Sequence, residues 1–422
     1  MELKPGYKKT AVGVIPEGWD VNILGDLFDF SGGFTASREQ LTDAGYCYLH
    51  YGDIHKSSKA FIDTEAEFPD IPKLDIPLKR VSPRSLLNDG DVVFVDASED
   101  DEGTSKYVVV INMKGIPFIS GLHTIVAKSK DDALNNKYKQ FCFQTADIRR
   151  QFHFYAVGTK VSGISKSNIR RLFIPLPPLP EQRAIATALG DVDALIVSLE
   201  KLIAKKRDLK QAAMQQLLTG QTRLPGFRGE WEVKRLGHVA QMSSGGTPPS
   251  SVRDYYDGDI PWVSISDMTK GGKVIINTDR NLSRLGLENS AATIYPAGTV
   301  LYAMYASLGE CSIAGIPLSS SQAILGIRPK NELDKEFLYY WLCSIKVLVK
   351  TLGQQGTQSN LNAGMVRAFS LQLPPFPEQT AIAAVLSDMD AEIAALEQRL
   401  VNTRALKQGM MQELLTGRAR LV

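Results

Sequence analysis

Side chains that could carry out catalysis are the first feature to test in this 422-residue sequence. An amino-group methyltransferase uses an Asn/Asp-Pro-Pro-aromatic motif, whose polar first residue holds the target amine. The nearest match is Leu373-Pro374-Pro375-Phe376, and a leucine side chain cannot accept a hydrogen bond from an amine. The sequence also has no G-x-x-x-x-G-K-[ST] phosphate loop and no His-Glu-x-x-His motif. We therefore expect no catalytic residues in this chain.

Residues that bind metals are equally sparse. The four cysteines are scattered without a C-x-x-C pair, and His50 and His55 flank Asp53 at a spacing that suits a metal site poorly. We expect no metal site and no bound cofactor.

Two stretches without acidic residues stand out. No Asp or Glu occurs from Ile148 to Pro180 or from Phe337 to Pro377, and both stretches contain Lys, Arg, Ser and Asn. Such stretches suit a surface that faces phosphates. The candidate phosphate contacts are Lys160 and Lys166 in the first stretch and Gln358, Asn360 and Arg367 in the second. Bulk charge adds nothing, since the whole chain carries +2.

An internal repeat places these candidates on two copies of one scaffold. LFIPLPPLPEQRAIATALG at 172–190 resembles FSLQLPPFPEQTAIAAVLS at 369–387, and LLTG recurs at 217–220 and 414–417 with the same offset of 197 positions. Further upstream, EGWDVNILGDLFDFSGG (17–33) pairs with GEWEVKRLGHVAQMSSGG (229–246), with Gly32 matched to Gly245. Similar ends around dissimilar middles indicate one scaffold that holds two different segments.

Each copy ends in a long helix. Apolar residues recur with alternating spacings of four and three from Glu181 to Leu218, and all six counterparts in the second copy are apolar, which is the pattern of a coiled-coil seam. The predicted seam residues are Ile185, Leu189, Val192, Ile196, Leu199 and Ile203, with Ile382, Leu386, Met389, Ile393, Leu396 and Leu400. Gly220 and Gly417 follow as predicted helix ends.

The rest of the chain is predicted to be rich in strands. Short apolar segments bounded by Gly, Asp or Pro predict strands at 91–95, 107–111, 298–302 and 324–327. The fold class is therefore α+β, with two globular mixed α/β domains and two long helices. The predicted division is 1–14, 15–178, 179–220, 221–375 and 376–422.

The motifs resemble those of the specificity subunits of type I restriction–modification systems. The matching residues are IPEGW (15–19), SGG (31–33) and GT…IRRLFIPLPPLPEQ (158–182) in the first copy, and EW (230–231), SGGTP (244–248), PWVSISD (261–267) and LQLPPFPEQ (371–379) in the second. The resemblance covers nearly the whole chain.

This resemblance implies a non-catalytic, DNA-binding subunit. Each variable domain would be a target recognition domain that reads half of a split site in double-stranded DNA, and the two helices would pack antiparallel with a pseudo-two-fold axis. Two methyltransferase subunits would bind S-adenosylmethionine and methylate adenine, and motor-nuclease (restriction) subunits would join to cut DNA. No membrane partner is implied, and without an evident signal peptide or membrane span we expect a cytoplasmic protein.

Base contacts are expected on polar loops, because side chains must reach the groove edges. The candidates in the first domain are His50, Tyr51, Lys56 and His123, and those in the second are Ser264, Ser266, Lys270, Tyr305 and Gln322. The first domain has Tyr46-Cys47-Tyr48 where the second has Ile260-Pro261-Trp262, which predicts a difference in how the reading loop is held.

Two other interpretations remain open. The chain could be a stand-alone DNA-binding regulator, or a coiled-coil adaptor without enzyme partners. Co-purification with a methyltransferase would exclude the first, and salt-dependent binding to DNA would exclude an adaptor that has lost DNA binding.

Overall fold

The chain forms two compact units in a computed structural model that describes residues 5–98, 103–158, 162–354 and 360–421. Unit 1 comprises the described residues of 1–198 and 399–422, and unit 2 those of 199–398. Two long helices, α6 (Leu179–Leu217) and α13 (Phe376–Leu414), contribute a segment to each unit.

Unit 1 is built from short strands and short helices. Its strands are β1 Tyr7–Thr10, β2 Gly13–Pro16, β3 Asp20–Ile23, β4 Phe28–Gly32, β5 Leu41–Thr42, β6 Tyr46–Leu49, β7 Phe61–Asp63, β8 Lys73–Leu74, β9 Val92–Val95, β10 Ala97–Ser98, β11 Tyr107–Ile111, β12 Phe118–Ser120, β13 Thr124–Ser129, β14 Ser162–Gly163 and β15 Phe173–Leu176. Its helices before α6 are α1 Leu24–Leu27, α2 Tyr51–Lys56, α3 Asn136–Cys142, α4 Ala146–Tyr155 and α5 Lys166–Ile169.

Unit 2 repeats this plan. Its strands are β16 Glu232–Arg235, β17 Ala240–Ser244, β18 Tyr256–Val263, β19 Val274–Ile275, β20 Arg280–Leu282, β21 Val300–Ala303, β22 Cys311–Ala314, β23 Ser319–Ser320, β24 Ile324–Pro329 and β25 Ser370–Leu373. Its helices between α6 and α13 are α7 Leu236–Val239, α8 Ile265–Gly271, α9 Arg284–Glu288, α10 Lys335–Ser344, α11 Lys346–Gln354 and α12 Ala363–Arg367.

The two central sheets have the same strand order. In unit 1 the order is β4-β13-β9-β11-β7, and in unit 2 it is β17-β24-β21-β22-β19. Each strand of the first sheet has its counterpart at the same place in the second. The four predicted strands are confirmed, since β9, β11, β21 and β24 all lie inside these sheets. The predicted internal repeat therefore extends through the middles of the two copies, where the sequences differ most.

Each central sheet is buried on both faces. In unit 1, Val92 and Phe94 lie in one apolar cluster, whereas Val93 lies in another, because successive side chains of a strand point to opposite faces. In unit 2, Val300 and Leu301 divide between two clusters in the same way. Burial on both faces explains why these strands read as continuous apolar runs.

The long helices pair in antiparallel fashion within each unit. In unit 2, Lys206 pairs with Glu392 at 2.6 Å and Lys210 pairs with Asp390, so residue numbers rise along one helix as they fall along the other. In unit 1, Lys407 pairs with Asp193 at 2.6 Å.

The predicted seam residues all lie at least partly buried. Those with the lowest exposure are Ile185, Leu189, Leu199, Ile203, Ile382, Leu386 and Ile393. Val192, Ile196, Met389, Leu396 and Leu400 are half-buried. Gly220 and Gly417 have φ angles of 73° and 69°, the left-handed conformation that ends a helix, as predicted.

The repeated Pro-Glu-Gln motif anchors each helix to its own unit. Gln182 is fully buried, and its amide donates to the carbonyl of Ala133 at 2.8 Å and accepts from the N–H of Asn135 at 2.9 Å. In unit 2, Gln379 makes the same two bonds with the carbonyl of Glu332 and the N–H of Asp334, both at 2.8 Å. The motif that is most alike in the two copies therefore attaches the start of each long helix to its own unit.

No helix within the described residues is both long and apolar enough to cross a membrane.

Candidate nucleic-acid interface

Three backbone hydrogen bonds assemble a polar edge in unit 1 from four separate segments of the chain. The N–H of Gly121 donates to Leu49 at 2.9 Å, that of Asp96 to His123 at 3.2 Å, and that of Ile164 to Asp96 at 2.8 Å. We call this set of segments, residues 49–56, 96–98, 121–123 and 162–164, the first polar edge.

Unit 2 builds the same edge with equivalent bonds. The N–H of Ser321 donates to Val263 at 3.0 Å, that of Met304 to Ala323 at 2.9 Å, and that of Leu361 to Met304 at 3.0 Å. Residues 263–270, 304–306, 321–323 and 360–361 form this second polar edge. Three of the residues predicted from sequence, Tyr305, Gln322 and Asn360, thus lie beside one another in the fold although 17 and 38 positions separate them along the chain.

Glycines allow these segments to approach closely. The N–H of Gly33 donates to Thr124 at 3.3 Å, and a Cβ on Gly33 would lie 1.8 Å from the carbonyl oxygen of Gly121. Gly245 makes the equivalent bond to Ile324, and its Cβ would lie 2.2 Å from the carbonyl oxygen of Ser320. The structural counterpart of Gly245 is therefore Gly33, and the match to Gly32 made from sequence is wrong by one residue.

Different aromatic residues bind the equivalent backbone carbonyl in the two units. The Tyr48 hydroxyl donates to the carbonyl of Phe34 at 2.8 Å, and the Trp262 indole N–H donates to the carbonyl of Gly246 at 3.0 Å. Phe34 and Gly246 each follow the close-packed glycine by one position. The expected difference between the Tyr-Cys-Tyr and Ile-Pro-Trp segments is therefore one of side-chain identity, because the anchored carbonyl is equivalent.

The predicted base contacts of unit 1 cluster on the first polar edge. The ring of Tyr51 lies 4.5 Å from that of His50 and 5.4 Å from that of His123. His123 is exposed, whereas His50 is only 8% exposed and its Nδ1 accepts the N–H of Gly52 at 3.0 Å. Burial, aided by the charge of Arg38, lowers the pKa of the His50 imidazole, so His50 is a neutral helix cap. Lys56 ends α2 and is exposed.

The predicted base contacts of unit 2 divide in the same way. The Ser264 hydroxyl caps α8, accepting from the N–H of Asp267 at 3.3 Å and donating to its carboxylate at 2.6 Å. Ser266 and Gln322 are exposed, and Tyr305 is 38% exposed. Lys270 is also exposed and lies 3.3 Å from the carboxylate of Asp279.

Hydrogen bonding shapes the acidity of the cap in α8. Burial acts to raise the pKa of Asp267, but donors on Ser264 and the backbone N–H of Asp279 outweigh it and hold the pKa below its usual value. The carboxylate therefore stabilises the start of α8 by accepting hydrogen bonds from Ser264 and Asp279.

The candidate phosphate contacts lie on two short helices and on the edges. Lys166 begins α5 and is exposed, with its ammonium 3.6 Å from the position of a Cβ on Gly32. Arg367 ends α12 and is exposed, and its guanidinium donates to the carbonyl of Met242 at 3.2 Å. Lys160 and Gln358 lie outside the described residues.

Sequence reasoning missed Asp96, which lies at the centre of the first polar edge. Its carboxylate is 3.2 Å from Nδ1 of His123. The repeat gave no signal, because the counterpart of Asp96 in unit 2 is Met304.

The described residues contain no group of three or more His, Cys, Asp or Glu side chains arranged to hold a metal ion.

Comparison with known proteins agrees with this repeated architecture. Residues 16–210 and 228–403 both match the family model described as the type I restriction modification DNA specificity domain. The type I restriction enzyme MjaVIII specificity subunit of Methanocaldococcus jannaschii is 24% identical over 96% of this chain and 94% of the relative. The HindI specificity subunit of Haemophilus influenzae is 31% identical over 34% of this chain and 32% of the relative.

Solved structures share the fold. The S subunit of a type I restriction-modification system from M. genitalium aligns with a TM-score of 0.57 and 16% identity, covering 98% of both chains. The HsdS subunit from Thermoanaerobacter tengcongensis aligns with a TM-score of 0.52 and 19% identity, covering 96% of this chain and 98% of the other.

These relatives are specificity subunits, which are non-catalytic, and they confirm the interpretation of the repeated motifs. Because the two family matches together cover most of the sequence, this chain belongs to the type I restriction–modification DNA specificity family.

Proposed function

We propose that this chain reads a bipartite DNA target and directs partner enzymes to it, with unit 1 reading one half-site and unit 2 the other. The observation that carries the proposal is the polar edge, which both units build with equivalent backbone bonds but furnish with different side chains. A common frame with different exposed groups suits two readers of different sequences.

Side chains on the two polar edges would supply the chemistry that each reader needs. Tyr51, Lys56 and His123 would face base edges in unit 1, and Ser266, Lys270, Tyr305 and Gln322 would do so in unit 2. Lys166, Asn360 and Arg367, with Lys160 and Gln358, would contact phosphates, which position a protein on the duplex without reading its sequence.

His50 and Ser264 take a different part in this proposal. Their side chains cap α2 and α8, so they would position the exposed residues that follow them. Their contribution to specificity would then be indirect.

The catalytic steps would belong to partner subunits. Two methyltransferase subunits would hold S-adenosylmethionine and methylate adenine, and restriction subunits would cut unmodified DNA. Membership of the specificity family supports this arrangement. The interpretations as a stand-alone regulator and as an adaptor without DNA binding make different predictions.

Two measurements test the proposal. Sequencing of genomic methylation with and without this gene should reveal a split adenine-methylated motif that depends on the gene. Purified chain with its methyltransferase should bind duplex DNA, with an affinity that falls steeply as salt rises. Stable DNA binding without a co-purifying methyltransferase would favour the regulator, and a stable complex with no salt-dependent DNA binding would favour the adaptor.

A further inference from the structure

Three side chains of the first polar edge form one interacting group. The carboxylate of Asp96 lies 3.2 Å from Nδ1 of His123, and the ring of Tyr51 meets the His123 ring edge-on at 5.4 Å between centroids. Tyr51 in turn lies against the buried ring of His50, which caps α2. The position of the His123 ring is therefore set by the carboxylate of Asp96 and by the ring of Tyr51, which itself packs against the buried His50.

The backbone at His123 is also held in an unusual conformation. Its φ angle is 57°, in the left-handed region that residues other than glycine seldom adopt. The N–H of Asp96 donates to the carbonyl of His123, so Asp96 fixes both the backbone and the ring of this residue. Residues held in this way at exposed positions are a feature of functional sites.

The carboxylate decides which hydrogen bond the exposed side of the ring can make. An ionised carboxylate only accepts hydrogen bonds, so Nδ1 of His123 carries the proton. In the neutral ring, Nε2 is then an acceptor. Within the described residues Nε2 has no hydrogen-bond partner, and the side chain is 49% exposed.

Unit 2 has no equivalent group. The backbone bonds match Asp96 to Met304 and His123 to Ala323, neither of which offers a polar side chain. Any recognition by this group therefore belongs to one half-site only.

Building on the proposed function, we propose that His123 is a specificity-determining residue of unit 1, and that Asp96 positions it so that Nε2 accepts a hydrogen bond from the exocyclic amino group of a base. In the major groove the available amino groups are N6 of adenine and N4 of cytosine. The assignment predicts that one position of one half-site depends on such an amino group.

The test uses the full chain with its methyltransferase partner, and the variants His123→Asn and Asp96→Asn. Asparagine tolerates the left-handed backbone, so His123→Asn removes the imidazole with little strain. Asp29→Asn is the matched control, because Asp29 is an exposed carboxylate on β4, 75% exposed and away from the polar edge. Thermal unfolding of each variant verifies the fold.

Sequencing of methylated genomic DNA gives the first readout. Both variants should relax one position of one half-site, with a loss of discrimination of roughly tenfold, comparable to one mismatched base pair. The other half-site and the control variant should keep the wild-type motif. A motif unchanged in both variants would overturn the assignment, and so would a change in both half-sites.

Binding to duplexes that lack the amino group gives the second readout. With the motif known, adenine is replaced by purine, or cytosine by 2-pyrimidinone, at the affected position, and affinity is measured by fluorescence anisotropy. The wild type should lose roughly tenfold in affinity on the modified duplex, whereas His123→Asn, which already lacks the imidazole, should bind the modified and unmodified duplexes equally well. Equal losses for the two proteins would contradict contact through Nε2. If the wild-type complex methylates no split motif at all, the proposed function fails first and this assignment fails with it.

Discussion

Arg420 forms a two-point ion pair with Glu181, a residue 239 positions earlier in the sequence. The Glu181 carboxylate is completely buried and also accepts the indole N–H of Trp19 at 2.8 Å. In unit 2, Arg223 and Trp231 bind the buried carboxylate of Glu378 in the same manner. In both units the arginine follows the glycine of the repeated Leu-Leu-Thr-Gly by three positions, so this repeated sequence closes each unit around the start of a long helix.

Replacing Arg420 by alanine should destabilise unit 1. The variant leaves a buried carboxylate with one donor, at an expected cost of about 2–3 kcal/mol in the free energy of unfolding. Urea unfolding followed by circular dichroism measures the change. Arg418→Ala is the control, since its weak surface pair with Glu413 at 3.7 Å should contribute under about 0.5 kcal/mol. Equal effects of the two variants would show that the buried pair adds nothing.

Glycine substitutions should have opposite effects at two kinds of position. Gly33→Ala would force a Cβ against the backbone of Gly121 and should cost roughly 2–3 kcal/mol. Gly409→Ala lies in α13, where the new Cβ would meet no group within 4 Å apart from the adjacent backbone of the helix itself, and it should stabilise the chain by about 0.5–1 kcal/mol. Thermal unfolding compares the two. A Gly33→Ala variant as stable as the wild type would mean that the polar edge is not closely packed there.

Asp267→Asn should lower the stability of unit 2 in a pH-dependent way. The carboxylate of Asp267 accepts hydrogen bonds from Ser264 and from the N–H of Asp279. In asparagine an NH2 group, which cannot accept, replaces one of the two oxygens, so a loss of about 1 kcal/mol in the free energy of unfolding is expected at pH 7. Because the folded pKa of Asp267 lies below its ordinary value of 3.8, the stabilisation is complete well above that value and is lost as the pH falls through the lower folded pKa. Urea unfolding at pH 7 and pH 3 measures the difference, with the 65%-exposed Asp279→Asn as control. A difference that grows on acidification would contradict this account.

A charge in the helix seam should weaken the pairing of the long helices. Leu199 is 4% exposed, so Leu199→Asp should cost about 3 kcal/mol or more through burial of an unpaired charge. Leu209 lies on the same helix but is 47% exposed, and Leu209→Asp should change the stability by less than about 0.5 kcal/mol. Helix content on heating separates these variants. If Leu209→Asp is the more damaging of the two, the assigned seam lies on the wrong face.

The long helices and the repeat could be predicted because they depend on local periodicity, which the sequence displays directly. Gly33 was mistaken for Gly32 because a glycine doublet leaves an alignment free to shift by one residue, and only the bond to Thr124 decides. The capping roles of His50 and Ser264 depend on where the short helices α2 and α8 begin. The sequence shows only that both residues are polar, which does not locate the helix starts. Asp96 could not be found from the repeat, since its significance comes from His123 across the fold.

The central claim is that each unit reads its own half-site, and an exchange of one reading domain tests it most directly. Residues 221–375, the second reading domain as divided from the sequence, would be replaced by the equivalent domain of another family member. The methylated motif would then be sequenced in cells that also contain the methyltransferase. The account predicts that one half of the motif changes to that of the donor while the half read by unit 1 stays the same. A change in both halves, or in neither, would contradict independent reading by the two units.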